Sequence, residues 1–383
     1  MKKPKQNPFP ISGYREPESF CDRERELQTL SKSLSAGRHT VMYSIRRLGK
    51  TALIQHLFRK TAESKAICIY CDIHATGSRK EMIDALTTSV MRAVNERTSW
   101  GRRIMDFLKS LRPVISYNDL TGLPEVTLTL ASPAQEQSAL QQLLKTLNSQ
   151  NKPVYLAIDE FQRITAYPEK NTEALLRSII QSLSRVSFLF AGSQQHLLMD
   201  MFGSASRPFF AMTQTMKLDK LNRDVYGEFI RKIFLNDGVR ITDDAVDFIL
   251  DFTRIHTYYT QLLCNNLYDQ IASRITLEDV KEVCYKLLGE QEPVYFNYRS
   301  MLTAQQWKLL AAVGKEQTLY EPTSGGFLGK YGLGNASSVK RALEALLDKE
   351  IIYEEVDKDG SKFYQVYDVF LSRWLEQVYR NGK

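Results

Sequence analysis

No apolar run in these 383 residues approaches the roughly 18 needed for a helix to cross a bilayer. The opening residues Met1-Lys2-Lys3-Pro4-Lys5-Gln6-Asn7-Pro8 are charged and then broken by proline, without the apolar core of a signal peptide. A cytoplasmic protein that does not enter membranes is therefore expected. Cysteine is sparse too. Five residues, an odd number over such a length, do not make a disulfide framework. Cys68 and Cys71 form a C-x-x-C, but Ala66-Ile67-Cys68-Ile69-Tyr70-Cys71-Asp72 reads as a buried strand. Residues three apart on a strand face opposite sides, so neither a zinc knuckle nor a redox pair fits. With 43% hydrophobic and 25% charged residues the chain is of ordinary globular composition, long enough for two or three domains.

What the chain does contain starts with Val41-Met42-Tyr43-Ser44-Ile45-Arg46-Arg47-Leu48-Gly49-Lys50-Thr51, followed by the apolar-periodic run Ala52–Phe58. A strand, a tight loop ending Gly-Lys-Thr and a helix form the layout of a phosphate-binding P-loop. Gly49 lets backbone N–H groups approach phosphate oxygens. Lys50 places an ammonium between the β- and γ-phosphates, and the Thr51 hydroxyl is suited to hold Mg2+. Ser44 stands where the motif has its first glycine. The candidate nucleotide-binding residues are thus Ser44, Arg46, Arg47, Leu48, Gly49, Lys50, Thr51 and Ala52.

A second stretch, Val154-Tyr155-Leu156-Ala157-Ile158-Asp159-Glu160-Phe161, is an apolar strand ending in two carboxylates, the Walker B pattern. An acid at the end of a buried strand is costly unless it serves a cation, so Asp159 is expected to share the Mg2+ shell with Thr51. Glu160 is expected to orient or activate the water that attacks the γ-phosphate. A third strand, Val186–Gly192, carries Ser193 and Gln194 beyond its tip as candidate sensors of the γ-phosphate. Arg207, in an otherwise uncharged loop, is a candidate arginine finger, with a structural ion pair as the alternative. Upstream, Phe20 and a helix containing Leu27 and Leu30, with Asp22 as its N-cap, are placed to cover an adenine ring.

Beyond Asn222 the pattern is helical to about Gln291 and reads as a four-helix lid. Three helices then end in Asn335–Leu347, and two strands flank Lys358-Asp359-Gly360, which is a winged helix-turn-helix. Asp357-Lys358-Asp359-Gly360 lacks the later ligands of a calcium loop. Charge bears on what this module touches. Residues 1–60 carry a net +8, whereas Asn335–Val366 holds five basic and seven acidic residues. DNA affinity rests on neutralised phosphates, so tight autonomous DNA binding is not expected, although the outward Lys340 and Arg341 are its candidate contacts.

Taken in order, Gly13-Tyr14, Phe20-Cys21-Asp22-Arg23-Glu24, Ile45-Arg46-Arg47-Leu48-Gly49-Lys50-Thr51, Ile158-Asp159-Glu160-Phe161 and Ala191-Gly192-Ser193 resemble the archaeal-type ATPases of the AAA+/STAND group. The resemblance implies ATP with Mg2+, an ASCE-type core with a strand between the two Walker strands, and use as a nucleotide-controlled switch. Many relatives carry a Gly-x-Pro segment in the lid, where this chain has Ile255-His256-Thr257-Tyr258-Tyr259, and slow or partner-dependent turnover is implied. The expected architecture is an α/β P-loop NTPase core with a parallel sheet over residues 1–218, an all-helical lid over 219–292 and a winged helix over 293–383. The expected function is an ATP-hydrolysing switch that moves the winged helix; an ATP-licensed, origin-recognition-like DNA-binding regulator and a non-hydrolysing scaffold are the alternatives. The expected partners are ATP, a protein, a second copy of the chain and DNA, and no membrane. Nuclease activity is not expected.

Overall fold

Alternation along one strand explains the layering of the first unit. In Val154–Asp159 the side chains of Val154, Leu156 and Ile158 enter one buried cluster, while Tyr155 and Ala157 enter another on the opposite face. A strand apolar on both faces must be covered on both, which requires helices above and below the sheet. The computed structural model of the chain describes residues 7–15, 20–61, 65–93, 99–110, 113–119, 122–270 and 273–378.

The unit Ser12–Lys220 contains β1 (Thr40–Tyr43), β2 (Ile67–Asp72), β3 (Pro113–Tyr117), β4 (Pro124–Leu128), β5 (Val154–Asp159), β6 (Val186–Gly192) and β7 (Gln214–Lys217). Five of these form a sheet in the order β2-β5-β6-β1-β7, with every neighbouring pair parallel. Strand β6 therefore lies between β1 and β5, as the family resemblance implies. One face is covered by the helices Glu24–Ser35 and Lys50–Lys60 through Leu27, Leu30, Leu34, Leu53, Ile54 and Leu57. Helices Arg79–Ala93, Pro133–Asn148, Thr172–Ile180 and Gln195–Gly203 cover the other. Cys68 packs on the first face and Cys71 lies in the second cluster, the opposite placement that strand geometry demands. Strands β3 and β4 pair antiparallel as a hairpin.

Two details differ from expectation. The N-cap of Glu24–Ser35 is Arg23, not Asp22: both residues have left-handed backbones, at φ 77 and 58, so the tight turn displaces the Asp22 carboxylate from the cap. Strand β7 has the sequence Gln-Thr-Met-Lys and half-exposed or exposed side chains, so no apolar run announces it. It is held by parallel pairing to β1.

The second unit, from Leu221 onward, is helical before its winged helix, except that Arg240–Ile241 pairs parallel with Arg274–Ile275, so the lid is not all-helical as expected. Its helices Arg223–Asn236, Asp243–Phe252, Thr257–Asp269 and Leu277–Met301 begin with polar caps where the turn allows, as when Asn222 accepts from the N–H groups of Asp224 and Val225. Residues 7–11 belong to this unit. Phe9, 1% exposed, packs its ring 4.9 Å from that of Phe234. Asn265 donates to the Phe9 carbonyl at 2.7 Å. Helix Leu277–Met301 runs through Pro293, which breaks one backbone bond at a cost of about 3 kcal/mol that packing on both sides of the proline must offset.

The winged helix comprises Ala304–Glu316, Gly325–Tyr331 and Ala336–Asp348, then the antiparallel strands Ile352–Val356 and Lys362–Val366, and a closing helix Val369–Val378. A capping box between Thr303 and Gln306 starts the first helix. In the third, Val339, Leu343 and Leu346 are buried, and Ser337, Lys340, Arg341 and Glu344 are exposed.

Candidate functional site

Strand β1 ends at Tyr43 and a helix begins at Lys50, so the intervening loop must reverse within a few residues. Gly49 makes this possible with φ 99 at the helix N-cap; a Cβ there would meet nothing within 4 Å, so backbone conformation, not space, requires the glycine. Arg47 is also left-handed, at φ 61, a strained conformation for a side chain of its size. Arg46 and Arg47 are exposed, Leu48 is buried against the core, and Gly49 and Ala52 are half-buried.

Lys50 is 6% exposed, and its ammonium donates to Ser44 Oγ at 3.0 Å and to the Ser44 carbonyl at 3.4 Å. Ser44 is fully buried and its hydroxyl donates to the Ile45 carbonyl at 2.8 Å. The residue that replaces the first glycine of the motif thus gives the lysine a partner. Burial holds the Lys50 ammonium below the ordinary lysine pKa, and the charges of Glu160 and Asp159 oppose that shift.

Asp159, 3% exposed, closes β5. Its Oδ2 accepts from Thr51 Oγ1 at 2.7 Å and from the Tyr70 hydroxyl at 2.9 Å, while Oδ1 accepts from the Glu160 N–H at 3.0 Å. The two residues read as Mg2+ holders, 108 positions apart, are therefore in direct contact. Glu160 breaks the strand with φ 55, and its Oε2 accepts from Gln162 Nε2 at 2.5 Å and from Ser193 Oγ at 2.9 Å. A buried ammonium, a hydroxyl on a buried carboxylate and a second carboxylate at adjacent strand tips are a donor set that fits a polyphosphate with its divalent cation.

Not every candidate joins this cluster. Ser193 does, through Glu160; Gln194 stands at the N-cap of Gln195–Gly203 and is half-buried. Phe20 stacks on His56 of the P-loop helix at 4.0 Å between ring centroids and 6° between planes, and Tyr14 Oη lies 2.7 Å from His56 Nδ1. Arg207 bonds Glu173 at 2.6 Å and lies 3.4 Å from Asp200, and neither partner belongs to the cluster. Lys340 and Arg341 are in the other unit.

Sequence reasoning missed Tyr70, Gln162, His56 and Tyr14. Tyr70 sits in the C-x-x-C stretch, and only the pairing of β2 with β5 reveals its approach to Asp159. Gln162 lies two residues after Glu160, among polar and apolar neighbours that give it no distinct sequence signal.

Residues 20–206 match the family described as an ATPase domain predominantly from Archaea. Residues 293–377 match a probable winged helix domain. Two solved structures extend the likeness over nearly the whole length. The Walker-type ATPase of Pyrococcus abyssi is 18% identical, with TM-score 0.64, over 96% of this chain and 99% of the other. The Aeropyrum pernix ORC2 protein, in ADPNP–ADP complexes, is 12% identical, with TM-score 0.58, over 98% of each chain. At these identities the likeness establishes the fold. No curated protein matches at the sequence level. In the archaeal-type ATPase domain the cluster just described occupies the tips of β1, β5 and β6. Among the described residues no helix is long and apolar enough to cross a membrane.

Proposed function

We propose that this protein binds ATP with Mg2+ at the P-loop of its ATPase domain, hydrolyses it, and uses the nucleotide state to reposition the winged helix. The contact of Thr51 with Asp159 at 2.7 Å, beside the buried Lys50, carries the reading. Thr51 and Asp159 would hold Mg2+, which when bound supplies charge neutralisation at the phosphates. Lys50 would exchange Ser44 for phosphate oxygens, a partner whose negative charge favours the ammonium that burial disfavours. The N–H groups from Gly49 to Ala52, at a helix N-terminus, would complete the anion cradle. Glu160 would accept the proton of the attacking water, and Ser193 would link the tip of β6 to that carboxylate. Phe20, with Tyr14 and His56, would flank the base.

The switch reading draws support from a joint inside the second unit. Arg254, between lid helices, donates to Ser372 and Glu376 of the closing helix of the winged helix. Tyr259 packs its ring 4.9 Å from that of Phe370. Lid helices and winged helix bonded in this way would move together when nucleotide draws on the lid.

Binding of a fluorescent ATP analogue and steady-state turnover test the reading together. Lys50→Ala should weaken binding by about tenfold or more, and Glu160→Gln should keep binding while losing about 100-fold in turnover. No binding in the presence of Mg2+ would end it. A second reading, ATP-licensed DNA binding, rests on the exposed Lys340 and Arg341 of helix Ala336–Asp348. Their removal should abolish a steeply salt-dependent affinity, and no binding at low salt excludes this reading.

A further inference from the structure

Among the described groups around the acidic pair, one buried side chain has no part in the mechanism so far. Gln162 is 3% exposed, in the 3-10 turn Phe161–Ala166 that follows Glu160. Its Nε2 donates to Glu160 Oε2 at 2.5 Å, and Ser193 Oγ donates to the same oxygen. Its Oε1 is buried and has no hydrogen-bond partner. That oxygen lies 1.9 Å from where a Cβ on Gly192 would stand, with Leu198 Cδ1 at 3.0 Å from the same point. Leaving a buried amide oxygen unsatisfied is costly, and turning the amide over would aim that oxygen at a carboxylate. The orientation is therefore set by the demand of Glu160 for a donor.

Resting on the hydrolytic role proposed for Glu160, we infer that Gln162 is its positioning residue: Gln162 and Ser193 pin Oε2, so Oε1 is the oxygen presented to the attacking water, and residue 192 is glycine because the Gln162 amide fills the space of a side chain. The half-buried Glu160 has a left-handed backbone and a side chain otherwise able to rotate toward solvent. Two donors from two different elements on one oxygen remove that freedom, and a misaligned base loses rate without losing substrate affinity.

Two measurements on the full chain test this. Without nucleotide, the side-chain amide protons of 15N-labelled Gln162 should exchange with water at least about tenfold more slowly than those of exposed glutamines, and Glu160→Ala should abolish that protection. With nucleotide, the near-isosteric Gln162→Met should lower kcat by about tenfold or more while the affinity for a fluorescent ATP analogue changes less than about twofold. Gly192→Ala, which leaves the glutamine in place but takes its space, should reproduce the loss of kcat. The double variant Gln162→Met with Ser193→Ala should lose less than the product of the two single losses, because both act on one oxygen. Unprotected amide protons, or unchanged kcat in a folded Gln162→Met, overturn the inference. If Glu160→Gln itself keeps full turnover, the hydrolytic role of Glu160 falls and this inference with it. If Glu160→Gln is inactive and Gln162→Met is not impaired, only the inference falls.

Discussion

Arg254 Nη2 reaches Glu376 Oε1 at 2.8 Å across 122 positions of sequence, and both side chains are nearly buried, at 11% and 14% exposure. Arg254 adopts a left-handed backbone, at φ 53, to get there. Arg373 shares Glu376 at 2.9 Å and also donates to the carbonyls of Phe252 and Asp251. The joint thus ties the end of a lid helix to the last helix of the winged helix. Arg254→Met removes one of two cations from a buried carboxylate, and because Arg373 remains, the expected cost is about 2 kcal/mol, below that of a fully orphaned charge. Thermal unfolding followed by near-UV circular dichroism should show the loss. Nucleotide affinity should stay unchanged, and limited proteolysis should open the segment between the lid and the winged helix.

Tyr70 and Thr51 place their hydroxyls on the same oxygen of Asp159. Groups that orient a metal-binding carboxylate typically alter metal affinity by about 10- to 100-fold when removed. Tyr70→Phe keeps the ring and deletes only the hydrogen bond. The Mg2+ concentration giving half-maximal binding of an ATP analogue should rise by about threefold to tenfold, with little change in binding measured without metal. An equal change in both conditions would show that Tyr70 acts on the fold and not on Asp159.

How much of this was legible in the sequence depends on how local each feature is. Ser44 to Thr51 lie in one loop and announce their chemistry by spacing alone, as do Asp159 and Glu160 at the end of one apolar strand. The unbroken apolar run of β5 is what a strand covered on both faces requires. Tyr70 could not be found this way, because its meeting with Asp159 depends on β2 pairing with β5 and not with β1. Strand β7 has no apolar pattern, since it needs only backbone bonds to an edge. Asp22 obeyed local cap propensity, but the left-handed pair Asp22 and Arg23 overrode it so that Arg23 could be buried against Glu26. Pro293 reads as a boundary, yet the helix continues through it.

His56 offers a test by pH. Burial, aided by Lys60 and Arg59, holds its pKa below the ordinary 6.5, so the folded state prefers the neutral ring, whose Nδ1 lies 2.7 Å from the Tyr14 hydroxyl. A base whose folded pKa is lowered contributes stability that is complete above 6.5 and is lost as pH falls toward the folded value. Protonation also makes both ring nitrogens donors and charges the ring stacked under Phe20. The melting temperature should therefore fall more steeply between about pH 7.5 and 5.5 in the wild type than in His56→Asn. Parallel curves would remove His56 from this role.

Arg207 separates a structural role from a catalytic one. Its guanidinium holds Glu173, whose side chain is 12% exposed and whose carboxyl is pushed up by burial, while Arg207 opposes that shift. Arg207 is itself 30% exposed, so solvent screening limits the pair to about 1 kcal/mol. Because the cation lowers the carboxyl's pKa, the stabilisation is present above the titration range of Glu173 and lost as the carboxyl protonates. Arg207→Ala should therefore melt a few degrees below the wild type at about pH 8, and the gap should close as the pH falls into the carboxylate range. Turnover per bound nucleotide should be unchanged at protein concentrations low enough to keep the chain dissociated. A loss of turnover of about 100-fold or more at an unchanged melting temperature would reverse the assignment, and mixing with a Glu160→Gln chain would then show whether the arginine serves a neighbour's nucleotide.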